Sequence, residues 1–98
     1  MNFVEKLEPI RVLEKQSGLS RLLIFLLLNG DCNISYMIDA SNINPNVAYT
    51  SVRKATDLHL ITSDYDGGSF QRIRMLKLTD KGRKIAGHLS VINDILAH

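Results

Sequence analysis

The hydrophobic positions of this 98-residue chain change their period along its length. Phe3, Val4, Leu7, Ile10 and Leu13 recur at three- and four-residue spacing, the signature of one helix face. Pro9 interrupts them, and a proline inside a helix costs about 3 kcal/mol. The pattern predicts a first turn or two, a break at Glu8–Pro9, and a short helix to about Lys15 that Ser17–Gly18 ends. Leu19 to Leu28 is apolar on nearly every side and predicts the central core helix, closed by Asn29–Gly30. Asn33–Ile34 is expected to add one short strand. Ser35 is the expected N-cap of a helix from Tyr36 to about Ser41, which packs through Met37, Ile38 and Ala40. Asn42-Ile43-Asn44 reads as a three-residue turn. Asn44 then caps a further helix with Pro45 in its first position, where the missing N–H is harmless.

After Leu58 the period drops to two. Ile61 to Asp66 reads as a strand, Gly67-Gly68-Ser69-Phe70 as a turn, and Gln71 to Leu78 as a second alternating strand, so the two form a hairpin. Gly67 and Gly68 suit the turn because glycine takes positive φ freely. Thr79 caps a final helix from Asp80 to Ala97, roughly 27 Å long.

The helix that Asn44 opens has two unlike faces. Ala48, Val52, Ala55 and Leu58 lie on one, and two of them are alanines, which lets the helix lie close on its neighbours. Asn46, Thr50, Arg53 and Asp57 lie on the other, with Tyr49 and Lys54 beside them. From Asn44 through Thr56 there are two positive charges and no acid. Arginine and asparagine bond guanine and adenine edges in pairs, and lysine and hydroxyl groups suit phosphates. A carboxylate on such a face would repel phosphate, so the lack of acid before Asp57 matters.

A short helix, a three-residue turn, a second helix and a hairpin make a winged helix-turn-helix. There the second helix enters the DNA major groove and the hairpin tip reaches phosphates or the minor groove. The expected fold class is α+β, mostly helical, with a two-stranded β-hairpin wing and a long C-terminal dimerisation helix. Residues 1–98 are read as a single winged-helix domain: an N-terminal helical segment at 1–18, the helix-turn-helix core and wing at 19–78, and the dimerisation helix at 79–98. Candidate DNA contacts are Asn44, Asn46, Tyr49, Thr50, Arg53 and Lys54 on the recognition helix, and Ser69, Gln71, Arg72 and Arg74 on the wing. Arg72 and Arg74 also read as edge-strand charges that discourage aggregation.

Charge adds a local signal where the total says little. The net charge is +2. From Thr50 to Lys84 there are eight basic residues against four acids, whereas the first 49 residues carry four basic and five acidic ones. Positive charge thus sits in the segment that begins with the recognition helix.

Several classes of chemistry are missing from the sequence. Cys32 is the only cysteine, so no intramolecular disulfide forms, and His59, His88 and His98 show no zinc-ligand spacing. There is no Gly-rich phosphate loop, no H-E-x-x-H, no G-x-S-x-G and no convincing carboxylate pair. The expectation is a protein without enzymatic activity, metal or cofactor. The longest apolar run, Leu22 to Leu28, is far short of the roughly 20 residues that span a membrane. The N-terminus lacks a signal-peptide pattern, so the expected location is the cytoplasm.

Two stretches carry a family resemblance: NISYMIDASNINPNVAYTSVRKATDLHLI and LKLTDKGRKIA. Together they resemble the small archaeal winged helix-turn-helix transcriptional regulators, loose relatives of the MarR-type fold. The matching elements are Ile34-Ser35-Tyr36, the Asn42-Ile43-Asn44 turn, Ala55 to Ile61, and Leu78-Thr79-Asp80-Lys81-Gly82, the last being the most specific. The likeness covers about Gly30 to Ala86. It departs from the family at His59, where glycine is usual, and at Ala55, where leucine is usual. Positive φ at a non-glycine residue costs about 1 kcal/mol or more, so either the turn differs or the strain is accepted. The resemblance implies a dimer that binds double-stranded DNA, as a sequence-specific regulator or as a chromatin-like coat.

The final helix points to a dimer independently. Ile85, Leu89, Ile92 and Leu96 form a seam of the coiled-coil kind, and Val91 and Ile95 add a second stripe. The alternative is that one stripe packs on the chain's own core and the other on Phe3, Val4 and Leu7. The expected function is that of a homodimeric DNA-binding transcriptional regulator. A winged-helix module for protein contact and a sequence-independent chromatin protein are the alternatives. No small-molecule effector is legible in the sequence.

Overall fold

The structure, a computed structural model, describes residues 2–66 and 73–98. The expected turn at Gly67–Phe70, and with it Ser69, Gln71 and Arg72, lies outside the described residues. The chain opens with α1 (Phe3–Lys6), a 3-10 turn at Glu8–Ile10, and α2 (Arg11–Lys15). Pro9 sits inside the 3-10 turn, where the break was expected. Then follow α3 (Leu19–Asn29), β1 (Cys32–Asn33), α4 (Ile34–Ser41), α5 (Pro45–Asp57), β2 (Ile61–Asp66), β3 (Ile73–Leu78) and α6 (Asp80–Leu96). The result is a mostly helical winged helix-turn-helix with a small antiparallel sheet.

The sheet has three strands in the order β1-β3-β2. β2 and β3 form the expected two-stranded wing hairpin, and the expected short strand joins it as β1. β1 occupies Cys32–Asn33, one residue before the expected Asn33–Ile34, and pairs Cys32 with Leu76 and Asn33 with Met75. Ile34 begins α4 instead, and the cap is Asn33 in place of Ser35: its side chain accepts the Tyr36 N–H at 2.7 Å. Asn33 thus ends the strand and caps the helix, which leaves Ser35 exposed.

Leu19, Leu22, Leu23 and Leu26 of α3 are buried at the centre of the core. Around them lie Met37 of α4, Ile43 of the turn, Ala48, Val52 and Ala55 of α5, Ile61 of β2, Leu76 of β3 and Ala86 of α6. α3 is apolar beyond this buried face, and Leu28 remains exposed. α4 ends at Asn42 in the left-handed region (φ 56°), a conformation asparagine tolerates better than most residues. That reversal turns Ile43 into the core and sets Asn44 to cap α5.

The end of α5 aims the wing. The Leu60 N–H bonds the Ala55 carbonyl (2.9 Å) and the His59 N–H bonds the Thr56 carbonyl (3.0 Å), the paired pattern of a Schellman motif. His59 occupies its left-handed position with φ 59°, so the strain is accepted and the turn is unchanged. The Thr79 hydroxyl donates to the His59 carbonyl (2.7 Å) and accepts the Gly82 N–H (3.0 Å). One residue thereby ties the start of α6 to the end of α5.

Candidate nucleic-acid interface

α5 is presented by a packing face of small residues. Ala48, Val52 and Ala55 are buried as the spacing predicts, and Leu58 is half-buried. Ser51 is also fully buried, which the apolar pattern does not disclose. Its hydroxyl donates to the Ser17 carbonyl at 2.9 Å, and the Gln16 amide approaches it at 3.4 Å. A buried polar group without such a partner would cost about 1–3 kcal/mol, so the bond lets α5 lie close against the α2–α3 turn. Gly18 completes the fit. Its φ is +86°, and a β-carbon there would stand 2.6 Å from Val47 Cγ1.

The opposite face is open. Asn44, Asn46, Tyr49, Thr50, Arg53 and Lys54 are all exposed. Two of them have local commitments. Asn44 Oδ1 accepts the Asn46 N–H at 2.9 Å as the helix cap, and the Thr50 hydroxyl donates to the Asn46 carbonyl at 2.8 Å. Asn44 retains its amide N–H groups, and Thr50 its lone pairs, for other contacts.

Arg53 and Lys54 are neighbours in sequence and serve different surroundings. Arg53 shares a cleft of about 260 Å3 with Tyr49, Val52, Thr56, Asp57 and Arg74 of β3. Lys54 lines a larger pocket on the other flank of the helix, about 620 Å3, together with Arg11, Lys15, Lys81 and Glu8. Pro9, Val12, Leu58, Leu60 and Ile85 form its apolar wall. Sequence reasoning did not single out this pocket, because its members come from three segments tens of residues apart. Of the wing candidates, Arg74 is described and exposed. Its backbone is paired with Tyr65 across the hairpin.

The expected dimer seam divides into two parts. Ile85 and Leu89 are half-buried against the chain's own core. Val91, Ile92, Ile95 and Leu96 are exposed, Leu96 to 80%. Phe3, Val4, Leu7 and Ile10 are exposed as well, Phe3 to 78%, so the second stripe of α6 is not covered by them. Among the described residues no His, Cys, Asp and Glu side chains gather in a group of three that could hold a metal, and no helix is long and apolar enough to cross a membrane.

No protein-family model and no curated protein matches this sequence. Solved structures do. NMB1585, a MarR family regulator from Neisseria meningitidis, is 17% identical with a TM-score of 0.69, over 99% of this chain and 76% of its own. BpsR of Bordetella bronchiseptica, whose DNA binding is regulated by 6-hydroxynicotinic acid, is 16% identical with a TM-score of 0.73, over 83% of this chain and 61% of its own. AF1382 from Archaeoglobus fulgidus is 26% identical with a TM-score of 0.66, over 87% of this chain and 90% of its own. The fold is that of the MarR-type winged helix.

Proposed function

We propose that this chain is a DNA-binding transcriptional regulator that works as a homodimer, with α5 in the major groove and the wing on the backbone. The observation that carries this reading is the exposed face of α5. Asn46, Tyr49, Thr50 and Arg53 stand on a helix fixed from behind by Ala48, Ser51, Val52 and Ala55, with no acid before Asp57 and Arg74 of the wing beside it. Groove-reading needs this combination of rigid support and donors with a planar or amide geometry. The match to AF1382 from Archaeoglobus fulgidus, nearly whole chain on whole chain, agrees in size and source with the small archaeal form that the sequence resembles. Two exposed apolar groups, one on the N-terminal segment and one on the end of α6, support association with a second copy.

A mobility-shift experiment with random-sequence DNA at two salt concentrations, followed by selection from a random pool, tests the reading. Salt-sensitive binding that sharpens on selected sites is expected. Uniform binding to every sequence would make the protein a chromatin-like coat, and no binding would leave a protein-contact module. The Arg53→Ala/Lys54→Ala variant is expected to lose most of the affinity, and unchanged binding would remove α5 from the interface.

The pocket beside Lys54 favours one addition. Four cations, one acid and an apolar wall suit a small organic anion with a flat apolar body. Such a ligand would bridge the N-terminal segment and the recognition helix and alter the pose of α5; the DNA binding of BpsR is regulated by a molecule of this class, 6-hydroxynicotinic acid. Release of bound DNA on titration with aromatic carboxylates tests it, and an unchanged shift with a panel of them would dismiss the pocket as an effector site.

A further inference from the structure

We propose that the cleft between α5 and β3 seats a single DNA backbone phosphate, gripped from the helix by Tyr49 and Arg53 and from the sheet by Arg74. The inference rests on the DNA-binding reading and specifies which part of the DNA this site takes. The cleft measures about 260 Å3. Val52 lies buried at its floor, and the Thr56 hydroxyl beside it is already donated to the Val52 carbonyl at 2.7 Å. Four polar side chains remain to interact with a ligand: the Tyr49 phenol, the guanidinium groups of Arg53 and Arg74, and the Asp57 carboxylate.

Charge favours an anion there. Two cations stand against one acid, and among the described residues the only ion pair is Arg11–Glu8 at 3.0 Å, well away from this cleft. Two guanidinium groups brought to one opening by different elements repel each other, and an anion between them converts repulsion into attraction. A phosphodiester has two non-bridging oxygens that accept forked N–H donors, the geometry arginine supplies. A base edge matches less well, because guanine is read by one guanidinium in the plane of the base and leaves the second unpaired. Asp57, the last residue of α5, is the one acid that lines the cleft, so the lining side chains carry a net charge of +1, which matches a single phosphodiester.

The consequence concerns Arg53. It sets the position of α5 on the duplex and leaves the choice of sequence to Asn46 and Thr50, which do not line the cleft. Arg53 and Arg74 act as one device built from two elements, so the wing angle and the groove contact become a single constraint.

The test uses the full chain and a duplex selected from a random pool, with one methylphosphonate walked along each strand to neutralise phosphates singly. In the unaltered protein one position per half-site is expected to weaken binding about tenfold or more. Arg53→Ala and Arg74→Ala should each weaken binding to the unmodified duplex, and each should become insensitive to neutralisation at that same position. The double variant should lose less than the product of the two single losses. Both side chains are exposed, so the fold is retained, and unchanged circular dichroism verifies it. Loss of sensitivity at two different positions, or fully multiplicative losses, would overturn the shared seat. So would a new sequence preference in Arg53→Ala. Failure of the unaltered protein to bind any duplex would instead overturn the DNA-binding reading itself, and the seat with it.

Discussion

Gly82 lies so close to Leu60 that a β-carbon on it would stand 1.8 Å from the Leu60 carbonyl oxygen. The neighbouring Thr79 N–H donates to that same oxygen at 3.0 Å. The start of α6 is therefore pressed against the backbone that leaves α5. Gly82→Ala puts the added carbon against backbone, which cannot rotate away as a side chain can. The expected cost is about 1–3 kcal/mol or more. Gly87, one and a half turns further along, has nothing within 4 Å of its virtual β-carbon, and Gly87→Ala should stabilise by about 0.5–1 kcal/mol. Urea unfolding of both variants checks the pair. Equal effects of the two substitutions would show that the contact with Leu60 does not constrain α6.

His59 carries the opposite kind of constraint, since its backbone conformation suits glycine and its sequence does not supply one. His59→Gly removes a left-handed penalty of about 1–2 kcal/mol and adds a glycine entropy cost of about 0.5–1 kcal/mol. The variant is expected to gain up to about 1.5 kcal/mol, seen as a higher denaturation midpoint. A loss of stability would mean that the imidazole makes a contact worth more than the strain.

The exposed end of α6 allows a test of association that spares the fold. Leu89 is half-buried against the chain's own core, so a charge there would damage folding and assembly together. Ile92 and Leu96 are exposed in the single chain. Ile92→Asp with Leu96→Asp should leave the helical content unchanged and turn a dimer into monomer in sedimentation, because each carboxylate would be buried without a partner in the assembly. A dimer of undiminished affinity would move the interface away from this end of α6.

Cys32 is buried on β1, and burial, with the Asp31 carboxylate beside it, pushes its thiol above the usual range. The fold therefore favours the protonated form. By linkage, its contribution to stability is complete below the thiol's unfolded pKa and is lost as pH rises through the folded one. Alkylation of Cys32 should be much slower in the native protein than in urea, and stability should fall on the alkaline side. Native alkylation at the rate of a free thiol would show that β1 opens readily from β3.

The element types and most of their ends were determined by sequence alone, because those signals act within a turn or two of chain. Pro9 breaks the first helical stretch, Asn44 and Thr79 cap as side-chain acceptors, and the change of period after Leu58 marks the hairpin. The two faces of α5 were legible for the same reason. Tertiary structure decided what depends on partners distant in the chain. Cys32 becomes a strand residue because Leu76 lies opposite it, which moved the short strand and its cap by one and two residues from their expected places. Ser51 can be buried because the Ser17 carbonyl waits there. Arg53 and Lys54, about 100° apart around one helix, end in separate pockets because the wing packs on one flank and the N-terminal segment on the other. A helical period reports which residues share a face, but which surface that face meets is set by packing energy summed over the whole core.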